Sequence, residues 1–255
     1  MNVSTEALLA LGAPRRFDEV ERVSTRFAGT VRHLVETAVQ ARGVEALHGP
    51  QRRAASGLAL RNAAREILTT LGFEVEIVGR LPVGQALMVA NHLSWVDPLL
   101  VVQAVPAVAL AKREVFDWPV IGAQVRKLGV VMVDRRDPVT RAVALRRAWR
   151  ALAEGASVLN FPEGTTTYGD TLPFHRGLFA AAIAHHVPVV PIRIEYADRD
   201  ACWVGDETFL PHFLRLARRR VTRARLSFGT PLVPRKGEEA QDLADRARAR
   251  ITFAS

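Results

Sequence analysis

The chain has 255 residues, 49% of them hydrophobic and 24% charged, with 17 Gly and 14 Pro. That is enough for a sizeable core, and it excludes collagen-like, low-complexity and wholly disordered classes. Cys202 is the one cysteine, which excludes an intramolecular disulfide framework and a Cys-rich metal site, and 35 basic against 26 acidic residues leave a formal net charge of +9. In chain order, Arg15 and Arg16 follow the first short apolar stretch; a signal peptide places its positive charge first, so none is expected. Residues 17–42 carry Val20, Val23, Phe27, Val31, Leu34 and Val35 at helical spacing, with Gly43 as the expected stop. A second helix is expected over 50–72, carrying Leu58, Leu60, Ala63, Ile67 and Leu71 and punctuated by Arg52, Arg53, Arg61 and Arg65.

The pattern changes after Gly72. Phe73 to Val78 alternates like a strand. Short apolar runs follow at Ala86–Ala90, Ala107–Ala111, Val130–Val133, Ser157–Phe161 and Val187–Ile194. Helical stretches lie between them, notably Pro138–Glu154 and Leu178–His186. The longest apolar stretch, Leu99 to Ala111, holds Gln103 and Pro106 and is too short to cross a bilayer as a helix, so no transmembrane helix is expected. Short buried strands alternating with helices predict an α/β fold: a mostly parallel central sheet flanked by helices, preceded by an N-terminal helical pair. The expected division is residues 1–72 for the basic helical element and 73–255 for the α/β domain. In such folds ligands gather beyond the carboxyl ends of the strands, and the polar clusters of this chain stand at those ends.

The first cluster is Asn91-His92-Leu93-Ser94-Trp95-Val96-Asp97-Pro98. On a continuous helix, His92 and Asp97 would occupy different faces. A turn between strand and helix could fold Asp97 back beside the imidazole, fixing its tautomer and leaving the other ring nitrogen to take a proton from a hydroxyl. The competing reading makes Asp97 a helix N-cap before Pro98. The second cluster, Phe161-Pro162-Glu163-Gly164-Thr165-Thr166-Thr167, offers a close backbone approach at Gly164 and three hydroxyls for a polar or anionic group, or else a plain strand-to-loop turn. The third is Gly129-Val130-Val131-Met132-Val133-Asp134-Arg135, otherwise a core strand with a solvated Arg at its end.

Together these clusters resemble the glycerolipid acyltransferase family typified by 1-acylglycerol-3-phosphate acyltransferases. Asn91, His92 and Asp97 match its Asn-His-four residues-Asp block. Gly129, Asp134 and Arg135 match the second block, Phe161 to Thr165 the third, and Val187-Pro188-Val189-Val190-Pro191 the fourth. The resemblance covers roughly residues 73–235. It implies acyl transfer from a thioester, acyl-CoA or acyl carrier protein, to a lipid hydroxyl, with no metal or redox cofactor. It implies His92 as general base and Asp97 as its orienter. Arg135, Glu163, Gly164 and Thr165 would line the acceptor-headgroup site, and Lys112 matches a basic residue between the first two blocks. It also implies that residues 17–72 lie on the membrane; with no signal peptide or transmembrane helix expected, peripheral attachment at the cytoplasmic face is expected.

One position departs from the pattern. Thr166 stands where many members carry an Arg able to pair with a phosphate, and a threonine offers one neutral hydrogen bond instead. A Thr-bearing third block is similar to members acting on other lysolipids, and Asp206 and His212 also resemble the lyso-ornithine-lipid branch. The expected acceptor is therefore lyso-ornithine lipid or a similar lysolipid, the alternative being the phosphatidate-forming reaction. All basic residues but Lys112, Lys127 and Lys236 are arginine, which suits anionic lipid headgroups. The run Arg215–Arg225 would be the footprint of a nucleic-acid-binding protein, but no interleaved aromatics accompany it, and no nucleic-acid partner is expected. A metal hydrolase built on His92 and Asp97 lacks a second ligand pair, because His185 and His186 are adjacent and point apart on a helix.

Overall fold

The computed structural model describes residues 13–113, 115, 121–134, 137–169, 171–205 and 207–252. The described residues begin with two helices, α1 (Ala13–Glu45) and α2 (Gly49–Thr70). Gly43 does not stop α1. Ala41 and Val44 on either side of it are buried against Ala59 of α2 and Leu128, and that burial outweighs the roughly 1 kcal/mol a mid-helix glycine costs. At the end of α2, Gly72 does act as the break, with φ of +76°.

Then follow β1 (Phe73–Gly79), β2 (Leu87–Ala90), α3 (Asp97–Val102), β3 (Val108–Lys112), α4 (Ile121–Lys127), β4 (Val131–Val133), α5 (Pro138–Ala153) and β5 (Val158–Asn160). The chain continues with α6 (Gly177–Ala184), β6 (Val189–Tyr196), a short 3-10 turn at Arg199–Ala201, α7 (Phe209–Arg218), β7 (Thr222–Phe228) and α8 (Ala240–Thr252). The fold is α/β, as the alternation of runs predicts. The seven strands of the described residues form one sheet in the order β1-β7-β6-β2-β5-β3-β4. Strands β6, β2, β5, β3 and β4 run parallel, and β7 pairs antiparallel with β6 and parallel with β1. The last pair therefore runs against the rest.

The core lies on both faces of the sheet. Met88 and Ala90 of β2 join Leu159, Val190 and Ile192 on one face, where Ala64 and Leu68 of α2 and Leu100 of α3 cover them. Leu87 and Val89 join Val158 and Val189 on the other, beneath α5, α6 and α8. This is the period-2 alternation of a sheet buried on both sides. Its middle strand, β2, is wholly buried, and the first polar cluster follows directly from its end.

Strand β7 was not among the predicted runs. Its buried positions, Ala224, Leu226 and Phe228, alternate with Arg223 and Arg225, and the arginines masked the pattern. Those two pair across to Glu74 and Glu76 of β1 at 2.9 and 2.8 Å, while Arg218 meets Glu19 and Arg215 meets Glu207. The run at 215–225 is thus largely neutralised by carboxylates. No described helix is long and apolar enough to cross a membrane.

Candidate active site

The site begins where β2 ends. Asn91 continues the strand with its side chain: its amide donates to the Ile194 carbonyl at 2.9 Å and its carbonyl accepts from the Ile194 N–H at 2.8 Å. With β6 satisfied in this way, the backbone of β2 is released into a turn. His92 Nδ1 then lies 2.8 Å from Asp97 Oδ2. The same oxygen accepts from the Leu93 and Ser94 N–H groups at 2.6 and 2.8 Å, and Oδ1 accepts from the Tyr196 hydroxyl at 2.6 Å.

Asp97 is wholly buried, and four donors offset the cost of burying its charge. The N-cap reading fails here. Val96 is the N-cap of α3, and Asp97 reaches back to the turn rather than forward to the helix N–H groups. Pro98 does stand in the first turn of α3, where its missing N–H costs nothing. The imidazole stacks on Phe161, with ring centroids 4.3 Å apart.

The third block meets the first through Glu163. Its Oε1 accepts from the His92 N–H at 3.0 Å, and its Oε2 accepts from the Thr167 hydroxyl at 2.7 Å and the Leu172 N–H at 3.0 Å. The Thr167 N–H returns to the His92 carbonyl at 2.8 Å. Glu163 is buried and fully engaged, so it braces the loops. Gly164 has φ of +77°, and a Cβ there would press on His175 Nε2 at 3.2 Å.

A cavity of about 960 Å³ opens beside His92. Leu34 of α1 and Leu60 and Ile67 of α2 form part of its wall; Leu110, Val133 and Leu145 form another. Thr165, Thr166, Arg141, His175 and Arg176 supply its polar lining. Nδ1 of His92 is committed to Asp97, which directs Nε2 to act as the acceptor. The arrangement is an imidazole held by a buried carboxylate, lining a largely apolar cavity that also carries polar side chains.

Residues 72–195 match the family described as Acyltransferase. A lyso-ornithine lipid O-acyltransferase of Pseudomonas aeruginosa is 34% identical over 194 residues, spanning 74% of this chain and 74% of that one. One from Brucella abortus is 33% identical over 209 residues, covering 73% and 78%. A 1-acyl-sn-glycerol-3-phosphate acyltransferase of Neisseria gonorrhoeae is 31% identical over 186 residues, covering 71% and 69%. The chain belongs to the acyltransferase family. The crystal structure of the 1-acyl-sn-glycerophosphate acyltransferase of Thermotoga maritima shares its fold, with a TM-score of 0.71 over 94% of this chain and 95% of that one at 21% identity.

In this acyltransferase the structure brings His92, Asp97, Glu163, Gly164, Thr165 and Thr166 to one place. Arg135 and Asp206 lie outside the described residues, and of Lys112 only the backbone, at the end of β3, is described. His212 is buried, accepts from Trp95 Nε1 at 2.9 Å and sits 3.1 Å from the Cys202 carbonyl, which it reaches through Nε2. Burial, with Arg215 second, holds its pKa below the ordinary imidazole value. It is a strut between α7 and the His92 turn. Sequence reasoning missed Tyr196 and Arg141, because neither lies in a block and nothing local marks them.

Proposed function

We propose that this acyltransferase moves a fatty acyl group from acyl-CoA or acyl carrier protein to the hydroxyl of a lysolipid at a membrane surface. The observation that carries the reading is the His92–Asp97 pair beside a largely apolar cavity. In the proposed reaction His92 Nε2 takes the acceptor's hydroxyl proton as its oxygen attacks the thioester carbonyl. The new C–O bond forms, the tetrahedral intermediate collapses, the C–S bond breaks, and the thiolate takes the proton from His92. A thioester is already activated, and positioning of two lipophilic substrates supplies much of the rate.

Lyso-ornithine lipid is the acceptor we favour. Relatives carrying that name match along most of the chain, and Thr166 removes one cation that a phosphate monoester would use. The phosphatidate-forming reaction is the second reading, because a relative so named also matches. Thr165, Thr166, Arg135 and Lys112 are the proposed headgroup residues.

The helical pair is the proposed membrane-facing element, and residues 73–255 carry the chemistry. Phe17, Val20, Phe27, Val31, Val35 and Val39 of α1 are exposed. At 3.6 residues per turn they share a sector of about 120°. An adjoining sector of the same helix, with Thr30, Leu34 and Thr37, lines the cavity, so a substrate could pass from lipid to His92 along one helix. An assay of labelled acyl-CoA against a panel of lysolipids tests the reading. Turnover with none of them, with acyl-CoA or with acyl carrier protein as donor, would end it.

A further inference from the structure

Asp97 has one partner that the proposed reaction leaves without a role. Tyr196 closes β6, and its hydroxyl donates to Asp97 Oδ1 at 2.6 Å. Oδ2 already accepts from His92, Leu93 and Ser94. Tyr196 is therefore the one donor on Oδ1 among the described residues, on a carboxylate with no exposed surface.

We propose that Tyr196 is a positioning residue for the His92–Asp97 pair, pinning the carboxylate plane so that Oδ2 stays on Nδ1 and drawing off part of the carboxylate's charge. This rests on the reading of His92 as general base. The geometric part follows from the broad torsion of an aspartate carboxyl. Held at both oxygens it turns less than when held at Oδ2 alone. The electrostatic part follows from what Asp97 does to the imidazole. An anion beside His92 stabilises its protonated form, and a donor on that anion tempers the effect. Without the phenol, the carboxylate's full charge falls on the imidazole side of the pair, and the acid limb of the rate profile is the readout of that change.

The surroundings allow Tyr196 to act as a constant donor. Burial first, and then the Asp97 charge, push its phenol well above the ordinary value, against a smaller opposing contribution from Ser94. Among the described residues, Cys202 and Glu163 are titratable groups beside the pair. Burial pushes the Cys202 thiol up to about 11, with the Asp97 charge adding and Arg199 and Arg215 opposing. Glu163 sits on the His92 N–H and is held by Thr167 and Leu172. Tyr196 is the group here whose hydroxyl can be removed while its ring stays in place.

The test is the pH profile of kcat/KM with palmitoyl-CoA and lyso-ornithine lipid, or lysophosphatidic acid where that is the better acceptor. Tyr196→Phe should lower kcat on the order of tenfold, leave KM for both substrates little changed, and move the acid limb to higher pH. A fall in kcat with the acid limb unmoved, or a rise in KM in its place, overturns the proposal. A second measurement covers a Tyr196→Phe chain that fails to fold. The protein has two tyrosines, Tyr168 and Tyr196, so fluorotyrosine incorporated in a Tyr168→Phe background alters this phenol alone. A more acidic phenol is a stronger donor and should move the acid limb the other way, to lower pH. No movement overturns the proposal as well. His92→Ala in the same assay separates the two readings. An active His92→Ala protein sinks the general-base assignment, whereas an inactive one beside an unshifted Tyr196 variant sinks the role of Tyr196 alone.

Discussion

The surroundings of Asp97 and the outer side of α1 depart from polar-outside, apolar-inside partition in opposite directions. Asp97 is a charge with no exposed surface, and four donors reach its two oxygens. Along α1, Phe17, Val20, Phe27, Val31, Val35 and Val39 are apolar side chains left exposed. The buried charge is compensated from within, because the turn and β6 bring hydrogen-bond partners to it. Among the described residues the exposed stripe is left largely uncovered, and under the proposed membrane-facing role lipid would cover it. The comparison separates a self-contained device from the surface that the proposed role turns toward lipid.

The largest expected effect breaks the first region. His92→Ala should lower turnover by ~10²–10⁴-fold in a protein that melts like the wild type. Asp97→Asn should lose less, since an amide still orients the ring but does not stabilise the imidazolium. A folded His92→Ala chain with most of its turnover intact would refute the pairing as chemistry. The second region is broken by Val31→Asp with Val35→Asp. Each valine contributes about 1 kcal/mol or more on entering an acyl boundary, so the pair should weaken vesicle binding by at least roughly tenfold. Flotation with anionic and neutral vesicles reads this out. High salt should remove only the arginine contribution, and a wild-type protein that floats with neither vesicle contradicts the membrane-facing role.

Smaller effects sharpen the contrast at its edges. Thr166→Arg adds a guanidinium to the cavity lining and should move kcat/KM about tenfold towards lysophosphatidic acid over lyso-ornithine lipid. An unchanged ratio would show that position 166 does not read the headgroup. The smallest effect concerns His212, held neutral by burial. Its folded pKa lies below the ordinary value of 6.5, so the unfolded chain binds the extra proton first as pH falls. Stability present above 6.5 is then lost on acidification. His212→Asn does not titrate. Its melting temperature should start lower at neutral pH and fall less steeply with acid than the wild type's; parallel slopes would mean that His212 carries no such linkage.

Much of the site was legible because its parts are local. His92 and Asp97 are five residues apart, and a strand-to-helix turn is a short-range feature that Asn91, Ser94 and Pro98 announce. The strand runs at 86–90 and 187–194 were legible because strands buried on both faces read as continuous apolar stretches. Strand β7 escaped because its exposed positions are arginines, and a run of charge hides an alternation of period two. Gly43 misled because a local break signal cannot register that Ala41 and Val44 are both buried.

What the chain determined by itself was its supply of groups and the periods at which they recur: an imidazole near a carboxylate, hydroxyls after a glycine, apolar residues at helical spacing along α1. What the tertiary structure decided was where those groups face and what reaches them from afar. Helical spacing defines an apolar face without a direction. Leu34 turned to the cavity and Val31 and Val35 to solvent because α2, α4 and α7 pack on the other side of α1. Tyr196 arrives at Asp97 across 99 residues of sequence, and only the pairing of β6 beside β2 places it there. A contact of that range leaves no mark on the residues near either end, because its cause is the register of a sheet.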